Sequence, residues 1–206
     1  MAKPAVSVKK FSKKEFDTLD FKGEWKDLLG TPAMGGSWII YGDSGNGKTT
    51  FALKLLKYLL NFKKCAYIPL EEGLFLSFQK ALNRENLVSK SAKLKLWEDY
   101  RIEDLNKELS KPRAPEFIFL DSLQYVRMNK ESVNQITKFE YLELLKQHPT
   151  KTFIFISHAD KNQPRGALGK DVFYGSHVCL FVESFVIYPK KNRFEGTEPM
   201  DINLIK

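Results

Sequence analysis

Gly42-Asp43-Ser44-Gly45-Asn46-Gly47-Lys48-Thr49 has the spacing G-x-x-x-x-G-K-[ST], and these residue types at that spacing suit a phosphorylated ligand. Glycines without side chains let backbone N–H groups close around phosphate oxygens. Lys48 can reach the terminal phosphates as a point charge, and the Thr49 hydroxyl can ligate Mg²⁺. A helix starting here would aim the positive end of its dipole at the same anion. Further on, Phe117-Ile118-Phe119-Leu120-Asp121 sets a carboxylate at the end of an apolar run, where it can hold Mg²⁺ beside such a loop. The expected ligand is a nucleoside triphosphate, taken as ATP, with Mg²⁺. Gly42, Asp43, Ser44, Gly45, Asn46, Gly47, Lys48, Thr49 and Thr50 are assigned to the nucleotide, and Thr49 and Asp121 to the metal.

These residues need elements to position them. Ser37–Tyr41 is a short apolar run that reads as a buried strand entering the loop, and Thr49–Phe62 continues at helical spacing. Cys65–Leu70 predicts a second strand ending at Glu71-Glu72, followed by a helix over Leu74–Asn83. Leu94–Trp97 predicts a short strand and Ile102–Ser110 a helix. Phe117–Leu120 and Thr152–Ser157 read as buried strands. Between them Val133–Gln147 predicts a helix, with Ile136, Phe139, Leu142 and Leu145 on its inner face. Residues 158–175 read as a polar loop. Val178–Val182, Phe185–Tyr188 and Ile202–Ile205 read as closing strands. Apolar strands alternating with amphipathic helices imply an α/β fold with a mostly parallel central sheet flanked by helices. The strands after residue 175 imply an antiparallel C-terminal edge.

Composition narrows the class. The 206 residues are 43% hydrophobic, with 16 Phe and 8 Tyr, enough for a sizeable core and unlike a disordered chain. The net charge of +8 favours polyanionic partners such as nucleic acid or nucleotide over a purely solubilising role. Cys65 and Cys179 sit in apolar runs and read as core residues, not a disulfide or zinc pair. No run reaches the ~20 apolar residues of a membrane helix, and the charged N-terminus lacks the apolar stretch of a signal peptide. A soluble, cytoplasmic chain is expected. Residues 1–30 form a basic segment (Lys3, Lys9, Lys10, Lys13, Lys14) in which Phe11 and Phe16 suit an oligomerisation arm; the ATPase domain is expected over 31–206.

The motifs SWIIYGDSGNGKTT, YIPLEEG, FIFLDS, FIFISHADK and PKKNRFEG, in this order, resemble the core of the RecA superfamily of P-loop ATPases. The RadA-like recombination ATPases and DnaB-like replicative helicases are the nearest branches. The resemblance implies a RecA-like P-loop NTPase fold over roughly residues 30–205. It also implies a glutamate at the end of the second core strand that activates the attacking water. That position falls on Glu71 or Glu72, and Glu71 is preferred because it directly follows the strand. It implies a polar γ-phosphate sensor, commonly Gln, at the end of the TFIFIS strand, where this chain has His158. It implies a K-x-R element, matched by Lys191 and Arg193, that reaches into a neighbouring subunit's site, and hence a homo-oligomeric ring or filament. Finally, it implies a DNA-binding loop over 158–171, with Lys161, Arg165 and Lys170 as phosphate contacts and single-stranded DNA as partner. A second channel-lining segment is expected at Gln124–Asn134, with Tyr125, Arg127 and Lys130.

The function expected is that of an ATP-hydrolysing protein of DNA recombination, replication or repair. The alternative is a nucleotide-dependent switch that controls assembly with a protein partner. A small-molecule kinase fits less well, because no Arg-rich lid is evident.

Overall fold

The structure, a computed structural model, describes residues 4–205. Lys3, counted with the basic arm, lies outside them. Residues 4–18 are exposed throughout and include the one-turn helix α1 (Val8–Phe11). Burial begins at Leu19, so the exposed arm is shorter than the 1–30 segment read from composition. Phe21, and Trp25, Leu28 and Leu29 of α2 (Glu24–Leu29), pack into the body; the Trp25 ring stacks on Phe51 and Tyr58.

β1 (Gly36–Gly42) leads through the glycine-rich loop into α3 (Lys48–Leu59), and β2 (Cys65–Pro69) into α4 (Leu76–Arg84). A 3₁₀ stretch then reaches β3 (Leu94–Leu96) and α5 (Ile102–Leu109). β4 (Phe117–Asp121), α6 (Lys138–Gln147) and β5 (Thr152–Asp160) follow. A two-residue strand, β6 (Gln163–Pro164), precedes α7 (Gly166–Gly175); β7 (Val178–Glu183), β8 (Val186–Asn192) and β9 (Met200–Asp201) close the described chain.

The main sheet runs β3-β2-β4-β5-β1-β7-β8-β9. It is parallel from β3 to β7 and antiparallel from β7 to β9, with β6 turned back on the end of β5. Both faces are covered, which explains the unbroken apolar runs. Trp38 and Ile40 enter one core with α3, while Ile39 and Tyr41 enter the other with α5, α6 and α7. Side chains alternate along a strand, so a strand covered on both faces must be apolar at every position.

Three local expectations change. Residues 158–175 are not an open loop: β5 runs on to Asp160, Lys161 and Asn162 make the turn with positive φ, and α7 starts at Gly166. The short helix with Gly166 and Gly169 was hidden because glycine lowers helix propensity; close packing of Gly169 on Pro164 supplies what propensity lacks. The helix expected over 133–147 begins at 138, set by a capping box in which Thr137 and Glu140 bond each other's backbone N–H. Tyr141 and Leu144 point inward and Phe139 and Leu142 are exposed, so of the expected face only Ile136, just before the helix, and Leu145 meet the core. The final strand is Met200–Asp201, and residues 202–204 form a 3₁₀ turn.

Candidate active site

Parallel strands end together, and this sheet brings its chemistry to one edge. Register pairs Gly42 with His158, Asp121 with Ile156, and Pro69 with Asp121. The residues following β1, β2 and β4 and those near the end of β5 therefore meet outside the carboxyl ends of the strands, where open α/β sheets bind ligands. A cleft of about 390 Å³ lies there, lined by Lys48, Thr49, Glu71, Glu72, Asp121 and His158 among others.

Gly47, at φ 96°, occupies the left-handed region as N-cap of α3. Gly42 has a different role: a Cβ there would lie 2.2 Å from the Val182 carbonyl oxygen of β7, so this glycine permits strand packing. The Lys48 ammonium donates to the Asp43 carbonyl at 2.8 Å, and burial holds it below the ordinary lysine range against the pull of Asp121, Glu71 and Asp43. The Thr49 hydroxyl donates to Asp121 Oδ2 at 3.2 Å. Burial raises the Asp121 carboxyl above its ordinary value, while hydrogen bonds from Tyr67 and Thr49 act in the opposite direction. Thr50 accepts from Arg84 at 3.3 Å.

Across the cleft, His158 Nε2 contacts both Glu71 oxygens at 3.0 and 3.1 Å. The Glu71 backbone N–H donates to the Asp121 carbonyl, tying the turn after β2 to the end of β4. Glu72 also lines the cleft but has no such partner among the described residues.

A hydroxyl, one carboxylate and nearby phosphate-binding groups form a hard oxygen set that fits Mg²⁺. That ion is usually held by one or two protein oxygens together with substrate phosphates. Among the described residues no cluster of three or more His, Cys, Asp or Glu forms a cage that would suit a different metal.

No protein-family model and no curated protein matches the chain. Its shape does match solved structures. A KaiC-like protein from Pyrococcus horikoshii superposes with TM-score 0.62 at 15% identity, over 85% of this chain and 89% of that one. The flagellar accessory protein FlaH from Methanocaldococcus jannaschii superposes with TM-score 0.60 at 16% identity, over 91% and 92%.

The fold is RecA-like.

Within the RecA-like core, the sheet separates the expected site residues into two groups. Lys48, Thr49, Glu71, Asp121 and His158 share the cleft. Lys191 and Arg193 do not. Lys191 is paired across from Cys179, which lies opposite Ile39, and the Arg193 N–H bonds to the His177 carbonyl near Ser37. Both sit toward the opposite end of β1 from the P-loop. Lys191 donates to the Phe173 and Tyr174 carbonyls at the end of α7, and Arg193 is exposed beyond the end of β8. Arg127 donates to the carbonyls of Gln124, Val126 and Val133, so it braces its own loop.

Three residues of the site escaped sequence reasoning. Gln124 donates to Ser157 and accepts from the His158 N–H, linking the turn after β4 to β5. Phe185 turns at the β7–β8 hairpin with φ 61°, bonds Asn46 and packs against Gly47. Tyr67 reaches Asp121. Only Gln124 carried a hint, as a polar residue just beyond the metal-type aspartate.

Proposed function

We propose that the chain is a Mg²⁺-dependent ATPase that hydrolyses nucleotide in this cleft. The observation that carries the reading is the meeting of Lys48, Thr49, Asp121, Glu71 and His158 at one sheet edge. Lys48 and the start of α3 bind the phosphates, and exposed Phe185 offers a flat apolar face on which the base stacks. Thr49 and Asp121 would hold Mg²⁺, which would supply positive charge against the phosphate oxygens. Glu71 accepts a proton from a water whose oxygen attacks the γ-phosphorus, and the bond to the leaving ADP oxygen breaks. His158 engages Glu71 across the cleft. A γ-phosphate competes for the same ring N–H, so its arrival frees the Glu71 carboxylate for the water.

The same reading extends to DNA. The net charge of +8 and the exposed Lys161 in the β5–β6 turn, Arg165 before α7 and Lys170 within it support it, since β5 ends just past His158. A strand bound there would act on the sensor through a short rigid path. The test is ATP hydrolysis with and without single-stranded DNA, for the native chain and Lys48→Ala. DNA-stimulated turnover that Lys48→Ala lacks supports the reading; absence of DNA binding with an ATP analogue present removes the DNA part.

A second reading is a nucleotide-dependent switch for a protein partner. It is favoured by the nearly full-length likeness to FlaH, named a flagellar accessory protein, and by the contact between His158 and Glu71, for which a bound phosphate would compete. Nucleotide binding with turnover indifferent to DNA would bring it forward.

A further inference from the structure

We infer that Tyr67 is a positioning residue for the metal-binding carboxylate: its phenolic hydroxyl holds Asp121 in the orientation that receives Mg²⁺. The inference rests on the reading of the cleft as a Mg²⁺-nucleotide site. Tyr67 lies on β2 opposite Phe119 of β4, four residues before Glu71, while Phe119 stands two residues before Asp121. It is fully buried, with its ring between Phe78 and Phe119 at centroid distances of 5.2 and 5.6 Å.

A phenylalanine would fill that slot equally well. Burying a hydroxyl among apolar rings is unfavourable unless it finds a partner. The partner is Asp121 Oδ2, at 2.5 Å, the oxygen that Thr49 also bonds. Two donors converge on one carboxylate oxygen, and among the described residues the other, Oδ1, receives no hydrogen bond. Both donors are neutral. They fix the carboxylate's rotation without using its charge in an ion pair, so the full negative charge stays available to a cation. This is the arrangement expected of an outer-shell group, which orients a ligand by hydrogen bonding to it.

The test compares the full native chain with Tyr67→Phe, which preserves the ring. Binding of a fluorescent ADP analogue is titrated with MgCl₂, and Mn²⁺ binding is followed by electron paramagnetic resonance. Tyr67→Phe should leave Mg²⁺-free nucleotide affinity unchanged while raising the Mg²⁺ needed for half-maximal effect by about ten-fold or more, the usual loss for an outer-shell partner. Phe78→Leu, which loosens the same slot but retains the hydroxyl, should lower Tm without moving the Mg²⁺ curve. An unchanged Mg²⁺ curve for Tyr67→Phe, or an equal loss with and without Mg²⁺, overturns the inference. Should Tyr67→Phe not fold, 3-fluorotyrosine placed at position 67 carries the test. Its fluorine resonance must move when Mg²⁺ joins the ADP complex and must stay still with ADP alone; no movement overturns the inference. A native chain that binds no nucleotide sinks the site reading, and this inference with it, whereas Mg²⁺-dependent binding indifferent to Tyr67→Phe sinks the inference alone.

Discussion

Glu71 and Glu72 are adjacent acids in one cleft, and a hydrogen bond separates their roles. Only Glu71 faces His158, across 3.0 Å, and its own N–H is fixed to the Asp121 carbonyl. Glu71→Gln should therefore retain Mg²⁺-ATP binding while hydrolysis falls by about 100-fold or more, in line with loss of a general base. Glu72→Gln should keep most of its turnover. Measuring nucleotide affinity and single-turnover rate in both variants decides the assignment, and equal losses would overturn it. Lys48→Ala should lose nucleotide binding itself, because among the described residues lining the cleft it is the sole lysine or arginine.

At the scale of elements, α6 is held at both ends by residues outside its apolar pattern. Thr137 and Glu140 close its first turn, so Thr137→Ala should lower stability by about 1 kcal/mol, read from denaturant melts. At the other end His148 caps the helix and its Nε2 meets the Asn106 Oδ1 of α5 at 2.9 Å. Burial holds the His148 imidazole below its ordinary value of 6.5, with the nearby Lys151 charge acting in the same direction. The unfolded chain therefore takes up this proton more readily than the folded one. The stabilisation is complete above pH 6.5 and is lost as pH falls from there toward the depressed folded value. His177, lowered by burial and by Arg193 and Lys191, acts in the same sense. His148→Gln can still donate to Asn106 but does not titrate. Its Tm should decline less between neutral pH and pH 5 than that of the native chain, and parallel curves would refute this account.

For the whole molecule, the separation of Arg193 and Lys191 from the cleft bears on assembly. Neither residue lines its own nucleotide site, and Lys191 already satisfies two carbonyls at the end of α7. If Arg193 contacts a triphosphate, that nucleotide belongs to another copy, in a head-to-tail arrangement. Arg193→Ala should bind nucleotide normally yet hydrolyse it slowly. Mixing it with Lys48→Ala should recover activity, because some interfaces then combine an intact cleft with an intact arginine. Mixtures no more active than the separate variants would show that the site is not shared. No helix among the described residues is long and apolar enough to cross a membrane.

The phosphate loop, the aspartate ending β4 and the central strands were legible because each depends on local pattern. G-x-x-x-x-G-K-[ST] encodes a backbone conformation directly, and a strand covered on both faces must be apolar throughout, as Phe117–Leu120 and Thr152–Ser157 are. The antiparallel edge after residue 175 was legible for the same reason, since β7 and β8 follow one another without a helix between. Other features depend on specific contacts, some local and some between residues far apart in sequence, that hydrophobic periodicity does not record. The start of α6 is set by the capping box of Thr137 and Glu140, and its buried face by which side docks on the sheet. α7 forms despite three glycines, with Gly169 packed close on Pro164. Tyr67, inside the strand expected over Cys65–Leu70, meets Asp121 across 54 positions, and His158 meets Glu71 across 87. A pattern along the chain records what each residue does to its own backbone and to the adjacent layer. Which hydroxyl faces which carboxylate is decided only when the strand order β2-β4-β5-β1 brings four strand ends to one edge.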